Sequence, residues 1–220
     1  MKPWIGIITR PTHSESNHPI EVIYSAIKNT IINHGGIPIV IIPITSKLEE
    51  YTNNNLEDNL ELIQKCHGII LQGGDDFYPY DLKILEYLKK ENIPVLGICL
   101  GMQTMAYLDN GILKKHQNSN HDQPNQKYVH KVMIDPNSKL YQILKKEIIN
   151  VNSRHKETIT HTNLDVVGKS EDGIIEAVED KEKDFYIGVQ WHPETMITYD
   201  EDMNKLFAHF IKICQERIER

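Results

Sequence analysis

Apolar residues along the first hundred positions come in two alternating textures, short unbroken runs and longer stretches with a helical repeat. Ile5-Gly6-Ile7-Ile8 is a run of the first kind, as expected of a strand covered on both faces. Over about 21–34, Val22, Ile23, Ala26, Ile27, Thr30 and Ile31 fall on one helical face, and Gly35-Gly36 marks its end. A strand at 37–42, a helix around 56–65, a strand at 68–72, a helix at 82–90 and a strand at 94–98 continue the alternation. This order predicts a three-layer α/β/α fold with a mostly parallel central sheet. Residues 114–128 carry no period and read as a loop over the active face. Residues 129–134, 148–151, 164–170, 174–178 and 185–189 read as shorter strands that extend or brace the sheet. A last helix, 203–218, puts Leu206, Phe207, Phe210, Ile211 and Cys214 on one side. No repeat or linker divides the pattern, so residues 1–220 are expected to form a single domain.

The junction at Cys99 is where this pattern meets chemistry. The apolar strand Pro94-Val95-Leu96-Gly97-Ile98 runs into the helical stretch that begins near Met102, and Cys99 sits on the bend between Gly97 and Gly101. A side chain held there is exposed on a sharp turn, and the helix amides ahead of it favour a thiolate. Acyl transfer is the chemistry this arrangement suits. A thiol nucleophile needs a base, and an imidazole base needs an acceptor to orient it. Both are available in Gln190-Trp191-His192-Pro193-Glu194. His192 emerges near the end of a predicted strand, at the sheet edge that carries chemistry, and Glu194 can sit behind it. The same residues would also suit a surface turn. Gly73-Gly74 closes another predicted strand, and the Gly74 amide with that of Leu100 could hold a tetrahedral oxyanion; an ordinary turn is the other reading. A redox-sensing cysteine would need exposure and a low pKa but neither His192 nor Glu194.

Composition narrows the partners. The net charge of −7 is spread along the chain without a basic stripe, which argues against nucleic acid. Cys66, Cys99 and Cys214 are odd in number and far apart, suggesting neither a disulfide framework nor a zinc knuckle; reduced thiols point to the cytoplasm. The longest apolar stretch, 37–44, is broken by Pro38 and Pro43, and no export segment precedes the first strand, so no membrane partner is expected. His116, His121 and His130, with Asp122, match no compact ligand spacing, and no metal or other cofactor is expected.

Taken together, Gly97-Ile98-Cys99-Leu100-Gly101-Met102-Gln103 and Trp191-His192-Pro193-Glu194 resemble the signature of the class I glutamine amidotransferase superfamily, whose fold is flavodoxin-like. The segments at 5–10, 130–140, 151–157 (VNSRHKE), 172–179 (DGIIEAVE) and 188–194 resemble more specifically its gamma-glutamyl-gamma-aminobutyrate hydrolases and related free-standing gamma-glutamyl hydrolases. The resemblance implies Cys99 as nucleophile, His192 as base and Glu194 as third member. It implies Gly74 and Leu100 as oxyanion amides, and Gln103, Ser153 and His155 beside the substrate. The implied reaction is attack on a gamma-glutamyl amide, loss of an amine and hydrolysis of a glutamyl thioester. Leu100 stands where that branch has arginine, and the loop at 75–81 is short, which leaves the amine half open. Acidic residues at that rim would favour a cationic amine. The expected partner is a small gamma-glutamyl substrate; a homodimer and a separately encoded synthase served with ammonia both remain open.

Overall fold

The computed structural model describes residues 1–43, 59–76, 78–115 and 119–219. Nine strands form its main sheet: β1 (Trp4–Ile8), β4 (Ile37–Ile41), β5 (Gly68–Leu71), β6 (Val95–Ile98), β8 (His130–Ile134), β9 (Ile148–Val151), β11 (Asp165–Ser170), β12 (Ile175–Glu179) and β13 (Tyr186–Val189). They lie in the order β4-β1-β5-β6-β13-β12-β11-β8-β9. From β4 to β13 the pairings are parallel; from β13 outward to β9 they are antiparallel. The unbroken apolar runs of the first hundred residues form most of the parallel half; of the later short strands, β13 completes that half beside β6, and β12, β11, β8 and β9 extend it antiparallel.

Burial explains the three layers. Alternate strand residues face opposite sides. Ile5, Ile7, Ile70, Leu96, Ile98, Ile187 and Val189 meet helices α1 (Ser25–Asn33) and α5 (Glu201–Ile218) through Ile27, Ile31, Leu206, Phe207 and Phe210. On the other face Ile8, Ile69, Leu71 and Val95 pack with Ile84, Leu85 and Leu88 of α2 (Pro79–Lys90) and Met102 and Met105 of α3 (Leu100–Leu108). No helix among the described residues is long and apolar enough to cross a membrane.

Several boundaries differ from the sequence pattern for local reasons. The helix expected from residue 21 begins at Ser25, because Arg10–His13 (β2) and Pro19–Val22 (β3) form a hairpin, with Arg10 opposite Val22 and Thr12 opposite Ile20. Gln72 fixes the exit of that hairpin, donating to the Val22 carbonyl and accepting from the Tyr24 amide. The helix expected from residue 82 begins at Pro79, which has no N–H to lose in a first turn. Lys114 and Lys115, expected at the start of a loop, instead end β7 (Ile112–Lys115), which pairs with β10 (Glu157–His161) in a separate two-stranded sheet. A short helix α4, Lys139–Leu144, is capped by Ser138, whose Oγ accepts from the Tyr141 amide at 2.9 Å. The helix expected around 56–65 falls partly outside the described residues, of which 59–63 are helical.

Candidate active site

Cys99 is the single residue between β6 and α3, and its backbone is at φ 51°, ψ −105°. Such a conformation costs a non-glycine residue about 1–3 kcal/mol and persists only where the surroundings enforce it. The enforcement is visible at Gly101, where a Cβ would overlap the Leu71 carbonyl, so the first turn of α3 sits directly on the end of β5. The Cys99 side chain is mostly covered, at 7% exposure. Gln190, at the end of β13 and fully buried, donates its amide to the Cys99 sulfur at 3.5 Å.

His192 follows β13 and precedes a single 3-10 turn, Pro193–Thr195. That turn folds Glu194 back, so that its Oε1 lies 2.8 Å from His192 Nδ1. A carboxylate only accepts, so Nδ1 carries the proton and the far side of the ring is left for the thiol. Burial opposes a charge on His192, yet the facing Glu194 and then Cys99 outweigh it and push the imidazole up to about 10. The turn residue Gly73 lies against both groups: a Cβ there would stand 3.0 Å from His192 Cε1 and 3.7 Å from Cys99 Cβ.

Asn152, which sequence reasoning passed over, clamps the backbone of His192. Its Oδ1 accepts the His192 N–H at 2.8 Å, and its Nδ2 donates to the His192 carbonyl at 3.0 Å and to Thr195 Oγ1 at 2.9 Å. It stands in the VNSRHKE segment, one residue before Ser153, so the motif was readable but not the member that reaches His192. Arg154 of the same segment lines two cavities beside Cys99.

One cavity, of about 300 Å³, is bordered by Gly74, Cys99, Gln103, Arg154, His155 and Glu157; the second, of about 280 Å³, by Tyr24, Gly74, Cys99, Arg154, His192 and Glu194. Cys99 thus opens to both. Gln103 donates to the Gln190 side chain and to the Glu157 carbonyl, each at 3.1 Å. Leu100, the first residue of α3, packs its side chain against Gly74, and its amide belongs to the first turn, where helix N–H groups have no intrahelical acceptor. Ser153 is not on either cavity surface: it is fully buried and donates to the His121 carbonyl at 2.7 Å.

The mouth is less acidic than its sequence suggests. Asp75, Asp122 and Glu157 share the first cavity with Lys115, Arg154 and Lys156. Asp81 is not at the rim: the early start of α2 buries it completely, where Arg10 Nη1 donates to both carboxylate oxygens at 2.9 and 2.6 Å. Arg10 also donates to the Gln72 carbonyl, so this pair braces the strand end that leads into Gly73-Gly74.

Folding also gathers histidines that the sequence leaves scattered. His121, His130, His155 and Glu176 bring one ligand atom each to within 4.8 Å of one another. Asp122 lines the cavity mouth instead, and His116 lies outside the described residues.

Comparisons with known proteins identify the family and the fold. Residues 79–194 match the family model described as Peptidase C26. A Schizosaccharomyces pombe protein that carries a glutamine amidotransferase name is 31% identical over 211 residues, covering 82% of this chain and 78% of its own. One subunit of the glutamine-hydrolyzing GMP synthase of Methanococcus aeolicus is 30% identical over 180 residues, covering 81% and 85%. Against a full GMP synthase of Francisella tularensis, 33% identical over 152 residues, the match spans only 28% of the relative. Among solved structures, a protein from Thermoplasma acidophilum named for a GMP synthase subunit superposes with a TM-score of 0.71 at 18% identity, covering 100% of this chain and 97% of its own. The glutaminase domain of Trypanosoma brucei CTPS gives 0.71 at 16%, covering 97% and 94%. These two establish the class I glutamine amidotransferase fold.

Proposed function

Because this chain belongs to the Peptidase C26 family, within the class I glutamine amidotransferase-like superfamily, we propose that it is a glutaminase-type cysteine amidase. Its substrate is glutamine, and the ammonia passes to a separately encoded synthase. The observation that carries this reading is the strained Cys99 turn facing the same cavity as the His192–Glu194 pair. Cys99 as thiolate attacks the gamma-carbonyl carbon, forming a C–S bond and an oxyanion held by the Gly74 and Leu100 amides. His192 protonates the departing nitrogen as the C–N bond breaks. Water then adds to the thioester, His192 takes its proton, and the C–S bond breaks to release glutamate. Glu194 holds the imidazole in the productive tautomer. Arg154 supplies a cation for a substrate carboxylate. The relationship to a GMP synthase subunit of similar extent supports a partner-served role.

A second reading has its own support. Cys99 opens onto a cavity on each side, which gives room for a leaving group larger than ammonia, as in a gamma-glutamyl-gamma-aminobutyrate or polyamine conjugate hydrolase. The balanced charge of the mouth removes the electrostatic preference for a cationic amine. Steady-state kinetics of the purified chain with glutamine, gamma-glutamyl-aminobutyrate and gamma-glutamyl-putrescine separate the two. Highest kcat/KM with glutamine sustains the first reading, and a conjugate preferred at least tenfold replaces it with the second. Failure to turn over any of them, with Cys99 inert to a glutamine-like electrophile, overturns both.

A further inference from the structure

We propose that His121, His130, His155 and Glu176 form a closed binding site for one divalent transition-metal ion of the zinc class. The four residues come from separate segments: the turn at 119–121, β8, the link between β9 and β10, and β12. Three imidazole nitrogens surround one carboxylate oxygen. His121 Nδ1, His130 Nε2 and His155 Nε2 lie 3.2, 3.5 and 3.5 Å from Glu176 Oε1. Four ligands at zinc bond lengths in a tetrahedron stand ~3.3 Å apart, so these three separations match ligand edges, and the nitrogens lie within 4.8 Å of one another.

The outer hydrogen bonds decide what these nitrogens carry. His121 Nε2 lies 3.1 Å from Asp172 Oδ2, His155 Nδ1 2.9 Å from the Glu157 carbonyl, and His130 Nδ1 3.3 Å from the Lys131 carbonyl. Each of those partners can only accept, so each outer nitrogen is the donor. In the neutral imidazole the inner nitrogen then presents a lone pair toward Glu176. Lone pairs aimed at a carboxylate repel it unless a cation stands among them. Outer-nitrogen bonds to a carboxylate or carbonyl are also how metal-bound histidines are oriented. Glu176 is fully buried, and the groups set against its Oε1 are these three inner imidazole nitrogens, with His121 Nδ1 the nearest at 3.2 Å, within reach of a shared proton or a common metal ion. A buried carboxylate so placed is expensive unless it is paired or bound to a metal.

With all four positions filled by protein, the ion would be structural rather than hydrolytic. Its charge, less that of Glu176, leaves one positive charge that Asp172 can balance behind His121. The site would also stiffen the segment that carries Asn152, Arg154 and His155 beside Cys99.

The test uses the full chain, stripped with chelator and dialysed. Elemental analysis after exposure to equimolar Zn²⁺ should find one ion per chain, retained in Cys99→Ser, with a raised Tm. Co²⁺ should give the visible bands of a four-coordinate ion without a thiolate charge-transfer band. Glu176→Gln and His130→Ala should each weaken Zn²⁺ binding at least 10–100-fold. If Glu176→Gln does not fold, His130→Ala, at the partly exposed edge of the cluster, carries the comparison. Absence of stoichiometric Zn²⁺ or Co²⁺ overturns the proposal and leaves a proton as the shared cation. Binding that is lost in Cys99→Ser, or untouched in both cluster variants, overturns it equally.

Discussion

Replacing Asn152 with leucine tests whether the backbone of His192 is held in place by one side chain. Leucine keeps the approximate shape and deletes every polar atom. The His192 carbonyl retains Thr195 Oγ1, which donates to it at 3.0 Å, but the His192 N–H loses its acceptor. An orphaned buried amide costs about 1–3 kcal/mol, and the two lost Nδ2 bonds add roughly 1 kcal/mol. The expected loss of about 2–4 kcal/mol should lower the Tm by roughly 5–15 °C for a chain of this size. Function should suffer separately, because the ring is then steered by Glu194 alone. A displacement of about 1 Å at a reacting group costs on the order of 10²-fold, and it should fall on kcat while KM changes little. Asn152→Asp keeps an acceptor for the N–H but sets a carboxylate against the His192 carbonyl, so its rate should fall between leucine and wild type. Urea unfolding with parallel kcat and KM measurements on a gamma-glutamyl amide provides the check. A leucine variant that is destabilised yet retains wild-type kcat would refute the clamp as a positioning device, and one with unchanged stability would refute the hydrogen bonds themselves.

Cys99→Gly should abolish turnover while leaving stability unchanged or raised by about 1 kcal/mol, since glycine relieves the strained backbone; a clear loss of stability on unfolding would contradict this. Mass mapping after reaction with a glutamine-like electrophile should place the adduct on Cys99, because burial pushes the Cys66 thiol up to about 11 and raises Cys214 further. His192 is raised in the folded state, so the proton it holds stabilises the fold fully below about 6.5 and progressively less as pH rises through about 10. The unfolding free-energy difference between wild type and Glu194→Gln should therefore shrink from pH 7 to 10, and a constant difference would remove the ion pair from the account. Asp81→Ala should cost about 3–5 kcal/mol by stranding the buried Arg10, with Asp81→Asn milder; equal denaturation midpoints in all three proteins would show that the pair does not brace the strand end before Gly73-Gly74.

Local signals carried much of the fold and the centre of the site. A run such as Ile5-Gly6-Ile7-Ile8 reports that both faces of a strand are covered, whichever strands lie beside it. Cys99 was legible because strand, bend and helix follow one another within a few residues, and His192 and Glu194 because only two positions separate them. The hairpin at 10–22 was missed where period-two and period-3.6 patterns overlap, as at Val22 and Ile23. Tertiary pairing decided the rest. Asn152 reaches His192 across 40 positions and Arg10 reaches Asp81 across 71. His121, His130 and His155 meet Glu176 because β8, β11 and β12 pair antiparallel beside the parallel strands. Periodicity states which face of an element is buried, whereas the identity and register of its neighbours come from the burial of all elements together. Groups contributed by several segments therefore become a site only once the sheet is assembled.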